Sequence, residues 1–308
     1  MATVLSVIST VLPVFAALGI GMLCRRRNFL TKEGVATLKK VTINLTLPFV
    51  LFHSFATAAY SLSSAILPVV IFTACFAMLA FGFLWVKASK SGSKTAPFVA
   101  SGFEAGMLGF SLFALLFPGK SISTFAMIVL GQEIFVFTVY KMLLTGKSSP
   151  KAIINDVLTS PTLIAVILGL LVGASGLYDL FRSWGINAII ESVTSFLSAP
   201  TGTIILFAVG FDLVLSEINW KKTGGLVAMR LVISGGMLGL LLLLNRTLLD
   251  GMIFEGALVV LFILPPPYII PIFSGEESEQ VHISSALSAL TLVTMLLFAL
   301  ISIVNAAL

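Results

Sequence analysis

From residue 41 to residue 86 the chain runs 46 residues without a Lys, Arg, Asp or Glu. As one helix at ~1.5 Å per residue this stretch would be about 69 Å long, over twice the ~30 Å of bilayer hydrocarbon. It reads as two membrane spans joined by a turn. Five further charge-free runs, 1–24, 157–178, 192–211, 256–275 and 280–308, are each near the ~20 residues that one span needs. Only 10% of the residues are charged, 58% are hydrophobic, and the mean hydropathy is +1.12. A soluble domain carries about 25% charge, so soluble, disordered and nucleic-acid-binding classes are excluded together. Short alternating segments of the porin kind are absent.

The expected fold is an all-α polytopic membrane protein with ten spans. They are 4–23, 41–58, 65–86, 97–117, 122–143, 160–178, 188–211, 224–244, 254–273 and 282–305. The first run reads as a span rather than a secretory leader, because Arg25, Arg26 and Arg27 follow the apolar stretch instead of preceding it. Cys24 and Cys75 have no metal-ligand spacing and suggest no disulfide framework. Assigning Lys and Arg to the intervening loops places 15 in odd-numbered loops and three, Lys120, Arg182 and Arg246, in even-numbered ones. The positive-inside rule then puts the odd loops in the cytosol and both termini outside.

The chain also repeats. VTINLTLP at 41–48 and VTSFLSAP at 193–200 agree at four of eight positions, each in the second span of its half. Pro13 and Pro161 stand near the start of each half's first span. The basic, Ser-containing stretch 144–159 is the expected join, giving five-span units at 1–150 and 151–308. Five is odd, so the second unit must enter the membrane inverted, as in inverted-repeat transporters.

Two spans carry the residues from which a site could be built. Span 9 contains LPPPYIIPIFSGEE at 264–277, with Pro265, Pro266, Pro267 and Pro271 inside seven residues. Each proline removes a donor and clashes one turn back, so the helix is expected to break and expose backbone for a ligand; a simple kink is the plainer outcome. Its counterpart, span 4, reads GFEAGMLGFSLFALLFPG at 102–119 and carries Glu104. A carboxylate within a span is costly and commonly faces a cavity, although a span starting later would leave Glu104 at the membrane edge. Gly102, Gly106 and Gly109 also suit plain close packing. Gln132 and Glu133 in span 5 suggest a cavity wall or interhelical hydrogen bonds. Asp212 and Arg230, at the end of span 7 and start of span 8, read as interfacial; Glu276, Glu277 and Glu279 read as a solvated acidic cap. His53 reads as a packing or headgroup contact. Walker, HExxH and Ser/His signatures are absent, so no enzyme activity and no resident cofactor are expected.

These residues resemble the auxin efflux carrier family, the relatives of the plant PIN-FORMED carriers and of bacterial proteins described as malonate transporters. The resemblance runs along essentially the whole chain. It is carried by LPFVLFHSF at 47–55, GMLGF at 106–110 and PPYIIPIF at 266–273, where Pro266 and Pro271 keep the family's five-residue separation. It implies two inverted five-helix repeats with the fold of bile acid sodium symporters. Spans 4 and 9 would unwind and cross, spans 1, 2, 6 and 7 would form a scaffold, and the rest would move as an elevator. Gln132 falls where the family has a polar residue near its substrate. Where the family commonly reads Asn-Thr-Gly-x-x-Gly-x-Pro, this chain has Glu104, Ala105, Gly106, Gly109 and Ser111. The amide has become an acid and the proline is gone.

The expected function is secondary active transport of a small organic anion, a carboxylate, by alternating access in a bacterial cytoplasmic membrane. Glu104, Ala105, Gly106, Gly109, Gln132, Pro266, Pro267 and Pro271 would bind substrate, with Glu104 and Glu133 as sites for a coupling proton or sodium ion. The expected partners are that anion, membrane lipid and a second copy docked through the scaffold. A cation-coupled carrier of another small solute and a non-transporting sensor on the same scaffold are the competing readings.

Overall fold

A bilayer offers no water to a backbone N–H or C=O, so an apolar segment must satisfy both internally, and a helix does so. The computed structural model describes residues 2–58, 60, 66–90, 93–146, 159–213, 218–273 and 277–307. It is all-helical, with no strand among these residues. In chain order the helices are α1 (Ala2–Arg26), α2 (Lys32–Val41), α3 (Leu47–Ala56), α4 (Ile66–Ala88), α5 (Phe110–Leu116), α6 (Ile122–Phe135) and α7 (Lys141–Thr145). They continue with α8 (Pro161–Ala174), α9 (Leu177–Ser183), α10 (Asn187–Ser198), α11 (Thr201–Asp212), α12 (Trp220–Thr247), α13 (Glu255–Ile263) and α14 (Glu277–Ala307). Most of the expected join at 144–159 lies outside the described residues, as does Glu276.

Among the described residues, seven stretches are long and apolar enough to cross a membrane: Ile8–Arg26, Lys32–Ala56, Ile66–Ala88, Ile122–Thr145, Asn187–Asp212, Trp220–Thr247 and Glu277–Ala306. The other three expected spans are not continuous helices. Pro161–Ala174 and Leu177–Ser183 meet at 69°, where Gly176 takes a φ of +74°. The segments around 96–116 and 255–273 are each broken in the middle. Large apolar side chains such as Leu12, Leu84, Phe196 and Leu243 lie exposed on the outside, whereas Thr46, Gln132 and Arg230 are buried. That inside-out distribution fits a lipid solvent.

Among the described residues, three helix pairs approach closely enough to need glycine, one of them α4 with α6, where a Cβ on Gly131 would run into Pro68 O. A Cβ on Gly21 of α1 would run into Phe207 O of α11, and one on Gly210 of α11 would run into Leu18 O of α1. On the other side, Gly169 and Gly173 of α8 rest against Phe52 O and Phe55 O of α3. The repeated octamers meet between these last two pairs. Residues 42–46 form a π-turn ahead of Pro48, and the chain turns at Ala199–Pro200 before α11. There, buried Thr46 and Thr201 share a hydroxyl hydrogen bond of 2.8 Å.

Overpacking a tight interface costs about 1–3 kcal/mol, and backbone contact leaves little room for relief. Gly210→Leu should therefore lower the thermal unfolding midpoint of the purified protein by several degrees. Gly19→Leu on the same α1, where an added Cβ meets nothing within 4 Å, should leave it unchanged.

Candidate functional site

The two broken segments meet inside the molecule. In the first, a 3-10 turn at Ala96–Ala100 gives way to non-helical backbone through Glu104; a π-turn at Ala105–Gly109 then leads into α5. In the second, α13 stops at Ile263, the three prolines run extended, and a 3-10 turn resumes at Ile270–Phe273. Gly102 takes a φ of +69°, and a Cβ there would stand 3.0 Å from two ring carbons of Pro267. Only glycine suits that position. The breaks are joined directly, because Glu104 N donates to Pro265 O at 2.9 Å.

Each break frees backbone groups, and side chains take them up. Gln132 acts as a surrogate strand: its Oε1 accepts from Phe103 N at 3.3 Å and its Nε2 donates to Phe103 O at 3.1 Å. Tyr140 donates its hydroxyl to Phe98 O at 2.9 Å. At the end of α13, Ser234 donates to Phe262 O at 2.7 Å and Thr294 to Ile263 O at 2.5 Å. Arg230 reaches both breaks, with Nη2 3.0 Å from Leu264 O and Nη1 3.5 Å from Val99 O. Its guanidinium lies 4.6 Å above the Phe103 ring.

The candidate residues named from sequence lie around this junction, and Pro271 alone among them lines the cavity that reaches it. Glu104 accepts from Tyr268 N through Oε2 at 2.8 Å, so one residue grips Pro265 with its N–H and Tyr268 with its carboxylate. It is partly buried within the fold, not at the edge of a late-starting span. Ala105 opens the π-turn and is buried. Gly109 lets the Leu264 and Phe125 side chains come within about 3.0 Å of where its Cβ would be, while Gly106 meets only Leu47 at ordinary contact distance. Pro266 and Pro267 are buried in the break. Glu133 receives Gln132 Nε2 at 3.0 Å on Oε1, and Glu104 is close enough to act on it electrostatically.

A cavity of about 470 Å³ leads to this junction. Arg25, Lys32, Lys39 and Asp212 line it on the side of the first basic loop, and Tyr268, Pro271 and Thr291 line its other end. Lys39 and Asp212 form an ion pair, with Asp212 half exposed. Arg25 donates to Phe211 O at 3.2 Å. Tyr268 shares a hydroxyl hydrogen bond of 2.9 Å with Thr291. Among the described residues, three cations and one carboxylate, Asp212 paired with Lys39, line this vestibule.

Two sequence readings need correction. Arg230 is not interfacial: it is 2% exposed near the middle of α12, which also lowers the loop charge bias to 14 against three. Glu279 is more than a solvated cap: its Oε1 accepts from Thr95 N at 3.2 Å and Thr95 Oγ1 at 2.7 Å, and also from Ser93 Oγ. It fastens the start of α14 to the segment entering the first break. Sequence reasoning also passed over Tyr140, Ser234 and Thr294. Their signal was the same for all three, a hydroxyl at a position of an apolar span where the lipid could not solvate it.

The described residues are those of an all-helical polytopic membrane protein with two broken helices joined in its interior. Residues 6–156, just under half of the chain, match the family described as "Membrane transport protein", the auxin efflux carrier family. No curated protein matches the chain. This is a family of transporters rather than of enzymes.

Gln132→Leu would strand Phe103 N and O, at about 1–3 kcal/mol for each buried group left unpaired. A fall in thermal unfolding midpoint larger than that of Ile134→Ala, an exposed change two residues away, is the expected result.

Proposed function

We propose that the chain is a secondary active transporter of a small organic anion, a carboxylate, working by elevator-type alternating access. The observation that carries this reading is the vestibule: three cations at its mouth and the joined breaks at its far end. The backbone beyond the prolines carries Tyr268 N there, which already holds a carboxylate, and a carboxylate is an acceptor that such a donor favours. Glu104 supports the point, since a carboxylate of the chain itself already accepts from Tyr268 N.

The packing supports the two inverted five-span units, 1–150 and 151–308. The first and seventh spans (α1 with α10–α11) pack together, and so do the second and sixth (α2–α3 with α8). Inverting the units exchanges one pair with the other. These four spans make the scaffold, held by glycine, and the segments bearing the junction make the moving part. The scaffold's exposed apolar face is the surface for a second copy. The protein belongs in a bacterial cytoplasmic membrane with both termini outside. In single-cysteine variants, Ser183→Cys should react with an impermeant maleimide in intact cells and Lys222→Cys only after permeation; the reverse pattern would refute the orientation.

Glu104 is the coupling residue. Charged, it holds Tyr268 N and repels an incoming carboxylate; neutralised by a proton or sodium ion, it releases both effects. Glu133, tied through Gln132 to the same backbone, supports cation coupling as a second reading in which the cargo need not be an anion. Glu104→Gln keeps the shape and fixes the neutral state. In proteoliposomes it should retain substrate binding but lose the dependence of flux on pH or sodium gradient. Unchanged ion dependence would remove Glu104 from the coupling mechanism.

A further inference from the structure

Arg230 is a buried cation without a counter-charge. A guanidinium has five N–H donors; two are used on Leu264 O and Val99 O, and Nε is buried with no hydrogen-bond partner. Among the described residues no carboxylate pairs with it. The ionisable groups that act on it are Tyr140 and Cys75, a phenol and a thiol. Two carbonyls and the Phe103 face supply partial negative charge only. A full charge buried in this way is expensive unless an ionic partner completes it.

The same side chain lines a cavity of about 290 Å³ between α12, α13 and α14. The vestibule described above shares none of its lining residues. Ser234 and Thr294 face it with hydroxyls whose protons are committed to Phe262 O and Ile263 O. Elsewhere its walls are apolar and mostly aliphatic, with Leu238, Leu290 and Leu297 among them beside Phe262. Its rim includes Leu231 and Gly235 on the exposed face of α12. One cation in an otherwise apolar pocket selects a ligand with one negative group and an apolar body.

We infer that this cavity is a second binding site, in which Arg230 holds the carboxylate of a monovalent acid and the aliphatic wall holds its short apolar chain. The acid comes either from the surrounding bilayer, as a fatty acid, or from water. Because the same guanidinium holds Val99 O and Leu264 O, occupancy firms the junction of the two breaks. The site stands independently of the transport reading, since its test measures binding and not flux.

The test is the thermal unfolding midpoint of the purified full chain, titrated with hexanoate and, as an uncharged control, hexanamide. Hexanoate should raise the midpoint saturably, by roughly 5 °C, and hexanamide should not. Gly235→Leu places a side chain where an added Cβ meets nothing within 4 Å and leaves the bonds of Arg230 intact. It should fold normally and abolish the shift, as should Arg230→Gln; if the latter fails to fold, Gly235→Leu decides alone. Equal shifts from hexanoate and hexanamide, a shift from chloride as large as from hexanoate, or a shift surviving in Gly235→Leu would overturn the proposal. Palmitate in nanodiscs tells the sources apart: suppression of the hexanoate effect assigns the site to a bilayer acid, and its persistence assigns it to a water-borne one.

Discussion

The absence of water in the hydrocarbon layer is the constraint on which this structure turns. A helix interrupted there exposes carbonyls and N–H groups at a cost of several kcal/mol each unless protein satisfies them. Here two interruptions are placed against each other, so that Glu104 N meets Pro265 O. Surrounding helices then supply side chains for other freed groups: Gln132 for Phe103 N and O, Tyr140 for Phe98, Ser234 for Phe262, Thr294 for Ile263, and Arg230 for Val99 and Leu264. Neither break would be stable alone. The prolines make the second break unavoidable, and Gly102 makes room for it in the first.

Packing divides accordingly. Where α1 meets α11 and α3 meets α8, backbone touches backbone across glycine, which fixes those pairs at short separation. Glycine contact also ties α6 to α4, at Gly131 on Pro68 O, and α4 to the start of the first break, at Gly82 on Pro97 O; around the junction itself, contact also runs through side-chain hydrogen bonds and aromatic edges such as Phe110 against Phe125 and Phe98 against Tyr140. Backbone contact through glycine permits little sliding, whereas side-chain bonds can be exchanged one at a time.

The sequence carried the membrane class, the approximate spans and the second break, because each depends on local composition or on proline chemistry. Four prolines in seven residues leave no helical alternative. The first break was legible only as a glycine-rich stretch with one acid, since its shape comes from Pro265, Pro267 and Gln132, all distant in sequence. Arg230 was misread for a related reason. Ten residues from the start of a helix, a cation near Lys221 and Lys222 looks like one more basic loop residue. Which face of α12 it occupies is set by packing against α13, and no local pattern reports that. Glu279 was underrated likewise, because its partners Ser93 and Thr95 lie 186 and 184 residues away.

The bond from Tyr268 N to Glu104 sets a scale for any ligand that uses the same N–H. A hydrogen bond to a charged acceptor contributes about 1.5–3 kcal/mol net, so a carboxylate that displaced Glu104 would forfeit roughly a 10- to 150-fold share of its affinity, at ~1.4 kcal/mol per tenfold. Repulsion between two carboxylates near Glu133 adds to that handicap. A proton on Glu104 removes most of both terms at once, because a neutral carboxyl binds the N–H more weakly and repels nothing. On the proposed reading, the acid that stands where the resembling family carries an amide would make anion binding conditional on cation binding.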